Sequence, residues 1–257
     1  MTTITLAQNF EQYFQVVFAS TQPLREESFR IRHAVYCEEL GWEPLRESQW
    51  ETDDCDDYSF ALLLLHKRTG QYAGTARLVI PPPSAPHLKL PFEKYVLDKI
   101  KSNIIDFDAL VRGSFSEISR LAVPEAFRRR LGEQNVPFVV NDLNPTSDVF
   151  SEEERRNFPN IAIGLYLGVI AFADLCNHDS MYVVVEPRLK RRLERLGFLF
   201  EQVGEELDYH GIRALYYLPR TKFIAHLNPE IRELYDMLRK QLENQMYLYP
   251  YHNGWNK

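Results

Sequence analysis

The chain has 257 residues, 45% hydrophobic and 26% charged, enough to bury a sizeable core in one large domain or two small ones. A formal net charge of −6 excludes a general nucleic-acid binder, which needs a positive field along its contact surface. Three well-separated cysteines, Cys37, Cys55 and Cys176, offer neither a disulfide framework nor a metal-ligand spacing and fit a reducing compartment.

Phe10, Tyr13, Phe14, Val17 and Phe18 recur at helical spacing, so residues 6–19 are expected to form an amphipathic helix, packed on the body or lying over a site. Glu11 and the polar breaks around it do not make a signal peptide. A second helix is expected over Glu26–Leu40, with Phe29, Arg32, Tyr36 and Leu40 on one face. Gly41 would end it as a left-handed cap, followed by Trp42. An arginine on such a face either lays its stem over apolar surface or offers a guanidinium to a carboxylate.

Residues 43–57, with Glu43, Glu47, Glu51, Asp53, Asp54, Asp56 and Asp57, read as an acidic loop. Tyr58–Leu65 and Gln71–Ile80 form a hairpin through His66–Gly70. Arg77 lies inside the second strand, among Ala76, Leu78 and Val79, where a charge must be exposed, paired or functional. Pro81-Pro82-Pro83 stops that strand, and a short helix is expected near Phe92–Ile100.

Glu117–Val123 alternates charged or small residues with apolar ones, a strand pattern ended by Pro124. Its Glu117, Ser119 and Arg120 read either as a surface ion pair on a core strand or as a site. On a regular strand Glu117 and Ser119 face one way and Arg120 the other, so a joint role requires a bend or bulge. Phe127–Gly132 is a basic turn, and 133–159 is a long, irregular polar segment.

Asn160 is the expected cap of a helix running to Cys176, whose glycines and alanines suit close packing on a sheet. Met181–Val185 reads as a short buried strand and Arg188–Leu196 as a basic helix closed by Gly197. Phe198–Val203 and Arg213–Leu218 are the last expected strands. Asn228-Pro229 opens a C-terminal helix reaching about Gln245, followed by the tail Tyr247, Tyr249, Tyr251 and Trp255. No apolar run approaches the ~18 residues of a membrane span, so the expectation is a cytoplasmic protein with no integral membrane segment. The mixture of strands and helices predicts an α+β fold with a mostly antiparallel sheet over 1–222, then a helix and aromatic tail over 223–257.

The order strand, basic Arg-x-x-Gly turn, helix, strand, helix, Leu-Gly-Phe, strand resembles that of GNAT-type acyltransferases. Arg129-Arg130-Leu131-Gly132 is similar to their phosphate-binding turn, with Gln134 where a second glycine is usual. More specifically, Arg32, Tyr36, Trp42, Asp53, Asp56, Arg77 in Gly74-Thr75-Ala76-Arg77-Leu78, and Glu117 with Arg120 in Glu-Ile-Ser-Arg resemble the ordered set of the LuxI-type autoinducer (acyl-homoserine-lactone) synthases. The resemblance covers about residues 25–200; Tyr36 stands where those enzymes usually carry Phe. The 133–159 segment and the extra C-terminal helix resemble the relatives found with the exosortase (PEP-CTERM) system and, more loosely, the N-acyl amino acid synthases.

This resemblance implies an N-acyltransferase. A fatty acyl group would pass from acyl carrier protein, or acyl-CoA, to the amine of a small amino acid-like acceptor. Glu117 would take the amine proton and Arg120 would anchor the acceptor side. Backbone N–H groups from Leu121 to Val123 would polarise the thioester carbonyl. Arg32, Tyr36, Trp42, Asp53, Asp56, Arg77 and Ser119 would form the acceptor side, with Arg77 either binding the acceptor or fixing an aspartate. Arg128, Arg129, Arg130, Gly132, Lys190 and Arg191 would flank the phosphopantetheine arm and suit an acidic carrier protein. No permanent cofactor is expected, and the scattered histidines imply no metal. Two alternatives stay open: an autoinducer synthase proper, using S-adenosylmethionine, and a non-catalytic module binding acyl carrier protein.

Overall fold

The computed structural model describes residues 4–99, 105–107, 109–128, 151–208 and 211–247. Helix α1 (Leu6–Tyr13) starts with a Thr5–Gln8 capping box and passes directly into strand β1 (Phe14–Phe18). The helix expected over 6–19 therefore stops at Tyr13. From Phe14 the burial runs with period two, Phe14, Val16 and Phe18 inward and Gln15 outward, and the β-branched Val16-Val17 pair suits an extended chain.

Helix α2 (Gln22–His33) carries Pro23 in its first turn. It does not continue regularly to Leu40; Ala34–Glu39 widen into a π-helical turn, a form that recurs at functional sites. Gly41, at φ +63°, ends the segment as anticipated. Strands β2 (Ser59–His66) and β3 (Tyr72–Val79) form the expected hairpin. After them come the short α3 (Pro91–Tyr95) and strand β4 (Phe115–Ala122).

Beyond the basic turn, α4 (Glu152–Arg156) lies within the stretch expected to be irregular, and residues 133–150 of that stretch fall outside the described residues. In α5 (Pro159–Leu175), Pro159 occupies the first turn and Phe158 the cap position, so Asn160 is inside the helix and does not cap it. Strand β5 (Ser180–Val185) and α6 (Pro187–Glu194) match expectation. The expected strand Phe198–Val203 pairs only over β6 (Glu201–Gln202), and β7 (Leu207–Asp208) hooks onto β8 (Ile212–Pro219). The chain closes with α7 (Arg220–His226), which the sequence did not announce, and α8 (Pro229–Tyr247).

The sheet runs β1-β2-β3-β4-β5-β8-β6 and is antiparallel except where β4 meets β5. This is the mixed, mostly antiparallel α+β sheet expected, flanked by helices and followed by a C-terminal helix. On one face α1, α5 and α8 share the largest core, with Phe10, Leu62, Leu64, Ile118, Val169, Leu234 and Leu238 fully or almost fully buried. Gly164 lets α5 approach closely, since a Cβ there would run into the Phe10 ring. On the opposite face α2 and its π turn cover Leu63 and Ala122, and Phe92 of α3 joins Val79, Phe115, Tyr182 and Leu215.

Two irregularities in β4 shape that second face. Between Arg77 and Thr75 on β3 the chain advances two residues, while its partner advances three, from Ser119 to Ala122. The extra residue is Arg120, at φ +50°, so β4 bulges there as a joint role for Glu117 and Arg120 requires. Ser119 and Arg120 then face the same side, and Leu121 returns to the α5 core. The second irregularity is a split. β4 and β5 pair only as far as Ile118 with Val183, whereas β5 and β8 stay paired to Val185 with Ala214.

Candidate active site

Three guanidiniums and three carboxylates meet on the α2 face of the sheet. Arg32 donates from Nε to Glu51 (2.6 Å) and from both terminal nitrogens to Asp56 (2.7 and 3.0 Å). Arg77 donates bidentately to Asp53 (2.6 and 3.0 Å), to Asp56 (2.9 Å) and, from Nε, to the Ser119 hydroxyl (3.0 Å). Arg120 reaches Glu51 (3.2 Å) and Asp53 (3.1 Å). Arg32, Arg77 and Glu51 are each 1% exposed. Burial alone would push the carboxyls up, but the arginines outweigh it and hold Glu51, Asp53 and Asp56 below their ordinary values.

The local chain explains how the loop delivers these groups. Asp53 caps a short 3₁₀ turn over Asp54–Tyr58, accepting from the Cys55 N–H, and Asp56 reaches back to the Asp53 N–H. Arg25 of α2 clips the turn at the Asp56 carbonyl (2.9 Å). The structure thus brings together Arg32, Asp53, Asp56, Arg77, Ser119 and Arg120, all singled out in the sequence. It adds Glu51, which sequence reasoning left in the acidic loop. Only a balance of charge hinted at it, three arginines against two chosen aspartates.

Glu117 lies on the same face, in register with Tyr182 of β5 and Val79 of β3. It is 3% exposed and accepts the Phe92 N–H at 2.7 Å. Phe92 packs on Tyr182, the register partner of Glu117, with ring centroids 4.8 Å apart. Burial pushes the Glu117 carboxyl up to about 8, against the opposing pull of the Phe92 N–H and of Arg77 and Arg120. A carboxyl so placed is mostly protonated at pH 7 and half-ionised only near pH 8, and its ionised form is a stronger base than an exposed glutamate.

The mouth of the split between β4 and β5 is crossed by a stack. Arg120 lies over Tyr36 (5.9 Å), Tyr36 is stacked on Trp42 (6.0 Å, 23°), and Arg213 of β8 lies over Trp42 (5.1 Å). The π turn aims Tyr36 inward, where its hydroxyl donates to the Leu121 carbonyl (2.8 Å). Leu121 and Val123 are buried at the splayed end of β4. Arg128 is buried and ion-paired with Glu39, and burial lowers it to about 10. Arg191 lines an open cavity of about 670 Å³ with Trp42, Glu186, Arg188 and Ile212. Lys190 turns away to Glu194 (2.7 Å) on its own helix. Arg129, Arg130 and Gly132 lie outside the described residues.

Among the described residues, the ligand atoms of Asp53, Asp54 and Cys55 come within 4.8 Å of one another. Those groups are already committed to protein donors: Asp53 to Arg77, Asp54 to Lys94, and the Cys55 sulfur to Lys94 and Tyr58. No helix among the described residues is long and apolar enough to cross a membrane.

Residues 31–136 match the model of the acetyltransferase (GNAT) domain, and the sheet order with its split central strands is that fold. No curated protein matches the sequence. The structure resembles that of the AHL synthase LasI (TM-score 0.58, 13% identity, 84% of this chain and 94% of that one). It also resembles BjaI, a CoA-dependent acyl-homoserine lactone synthase with SAM and isopentyl-CoA (TM-score 0.52, 19% identity, 90% and 89%). A third likeness is to FeeM, an N-acyl amino acid synthase from uncultured soil microbes (TM-score 0.50, 14% identity, 83% and 94%). At these identities the likeness is one of fold.

Proposed function

We propose that the chain is an N-acyltransferase that moves a fatty acyl group from a phosphopantetheine thioester to the amine of a small amino acid-like acceptor. The observation that carries this reading is the position of Glu117. It is a buried carboxyl raised to about 8, on the face and strand that part from β5 one residue later. The thioester arm would extend alongside β4 where its pairing with β5 ends. The acceptor amine approaches from the α2 face, and Glu117 takes its proton, directly or through water, as nitrogen adds to the carbonyl carbon. The oxyanion is met by backbone N–H groups of the Leu121–Val123 segment. Collapse forms the amide and expels the pantetheine sulfur, which takes the proton held by Glu117 and leaves as a thiol. The ion-pair network holds the acceptor loop and the bulge in place, with Arg120 linking the two.

The preferred donor is acyl carrier protein. Helix α6 carries Arg188, Lys190, Arg191 and Arg192, and such a basic helix suits an acidic carrier surface; Glu186 and Glu206 share the cavity that Arg188 and Arg191 border. The test is thiol release from acyl carrier protein or CoA thioesters of graded chain length, with pooled amino acids, followed by mass spectrometry. An N-acyl amino acid is expected. An acyl lactone formed from S-adenosylmethionine would identify an autoinducer synthase instead, and tight thioester binding without any product would identify a binding module.

A further inference from the structure

The ion-pair network leaves a question that rests on this acyltransferase reading: which group meets the carboxylate of an amino acid acceptor? Arg32, Arg77 and Arg120 are the obvious candidates, yet Glu51, Asp53 and Asp56 already neutralise them, and Glu43 stands 3.9 Å from Arg120 as well. A second anion could bind there only by displacing a buried carboxylate from a paired arginine, which is costly.

Arg213 differs. It begins β8 on the face that carries Leu215 and Tyr217, the same face as Glu117 and Arg77, because its neighbour Ala214 points to the α5 core. Among the described residues its guanidinium makes no ion pair, and its Nε is buried without a hydrogen-bond partner. It is held by stacking on Trp42, which fixes the plane of the fork while consuming none of its donors. The stack from Arg120 through Tyr36 and Trp42 sets it on the far side of the strand split from the neutralised arginines. Its stacking partner Trp42 and its chain neighbour Ile212 line the 670 Å³ cavity together with Arg188, Arg191, Glu186 and Glu206, and Arg213 itself is not part of that lining. An oriented, half-desolvated fork with unused donors at the edge of a site is suited to a planar carboxylate.

We infer that Arg213 anchors the carboxylate of the acceptor, holding it across the Trp42 side of the cleft while the amine is presented toward Glu117. Arg213 is a specificity-determining residue on this view, and Trp42 positions it.

The experiment crosses a protein change with a substrate change. Wild type, Arg213→Gln and Arg213→Lys are assayed for kcat/KM with two acceptor pools, the amino acids and the matching amino acid carboxamides, over a range of acceptor and of thioester concentrations. Melting temperatures confirm that the variants fold. A charge-assisted fork is expected to give wild type a preference of about tenfold or more for carboxylates. Arg213→Gln should collapse that ratio toward one through acceptor KM, and Arg213→Lys should retain part of it. Equal losses on both pools would overturn the assignment and leave Arg213 as a mere support for Trp42. A rise in thioester KM instead would also overturn it, moving Arg213 to the donor side. Failure of wild type to turn over either pool would sink the acyltransferase reading itself, and the assignment with it.

Discussion

Glu117 is buried at the centre of the site, and its chemistry sets two opposite pH responses. Its ordinary value is 4.5 and the folded chain raises it to about 8. The folded state therefore holds a proton that the unfolded chain releases, so this group's contribution to stability is full at low pH and declines as pH rises from about 4.5 to about 8. Under the proposed function the catalytic response runs the other way, because only the ionised carboxylate would accept the amine proton. The expected kcat/KM of wild type rises toward a plateau above about pH 8. Glu117→Gln should lower activity by ~10²-fold or more and abolish that limb. The same variant should gain melting temperature relative to wild type between pH 5 and 8, with no further gain above. A variant that lost stability uniformly with pH would show that the buried carboxyl serves packing. Glu117 was legible because a charge on a short apolar strand asks for a reason. Glu51 was not, for it is one of seven acids in residues 43–57. What selects it is the approach of Arg32 from α2 and Arg120 from β4, segments far away in sequence.

At the scale of the element, the bulge makes one site from residues that a flat strand would separate. The spacing of Glu117 and Arg120 required that β4 deform if both were to serve one site. Where it deforms was hidden, because the left-handed residue is an arginine (φ +50°) and not the glycine that usually marks such a place. A similar ambiguity hid β1: Phe10, Phe14 and Phe18 satisfy a helical period, while Phe14, Val16 and Phe18 satisfy a strand. The edge of β2 at Leu62–His66 decides between them by offering a ladder. The bulge can be tested by comparing two replacements that both delete the guanidinium. Asparagine tolerates positive φ and a β-branched valine does not. Arg120→Asn and Arg120→Val should both lose activity and the pairing with Glu51 and Asp53. Urea denaturation should find the valine variant less stable than the asparagine variant by about 1–2 kcal/mol. Equal stabilities would mean that the bulge relaxes once Arg120 is gone, and that the ion pairs impose it.

Across the whole molecule, the sheet is built asymmetrically, with the charged candidate site on the α2 face and a continuous apolar core beneath α1, α5 and α8. The leucine stripe of α8 was readable as an amphipathic face, and Leu234, Leu238 and Leu242 are fully buried. Its second duty was not readable, since it depends on α8 lying along the outer edge of the sheet. There β1 exposes a row of backbone groups that would template pairing with another chain. Two glutamines of α8 occupy that row. Gln245 accepts the Phe18 N–H (2.8 Å) and donates to the Val16 carbonyl (2.9 Å), and Gln241 accepts the Val16 N–H (3.3 Å). The helix thus imitates a neighbouring strand with side-chain amides, meeting the edge's donors and acceptors without extending the sheet. Replacing both glutamines by alanine removes those partners but leaves the leucine stripe in place. Hydrogen exchange at the Val16 and Phe18 amides is therefore expected to quicken in Gln241→Ala/Gln245→Ala, while amides within α5 keep their protection. Self-association at high concentration should rise as the edge is freed. Unchanged exchange at both amides would show that the packed helix alone keeps water and other chains from β1, and that the glutamine contacts contribute little to guarding the edge.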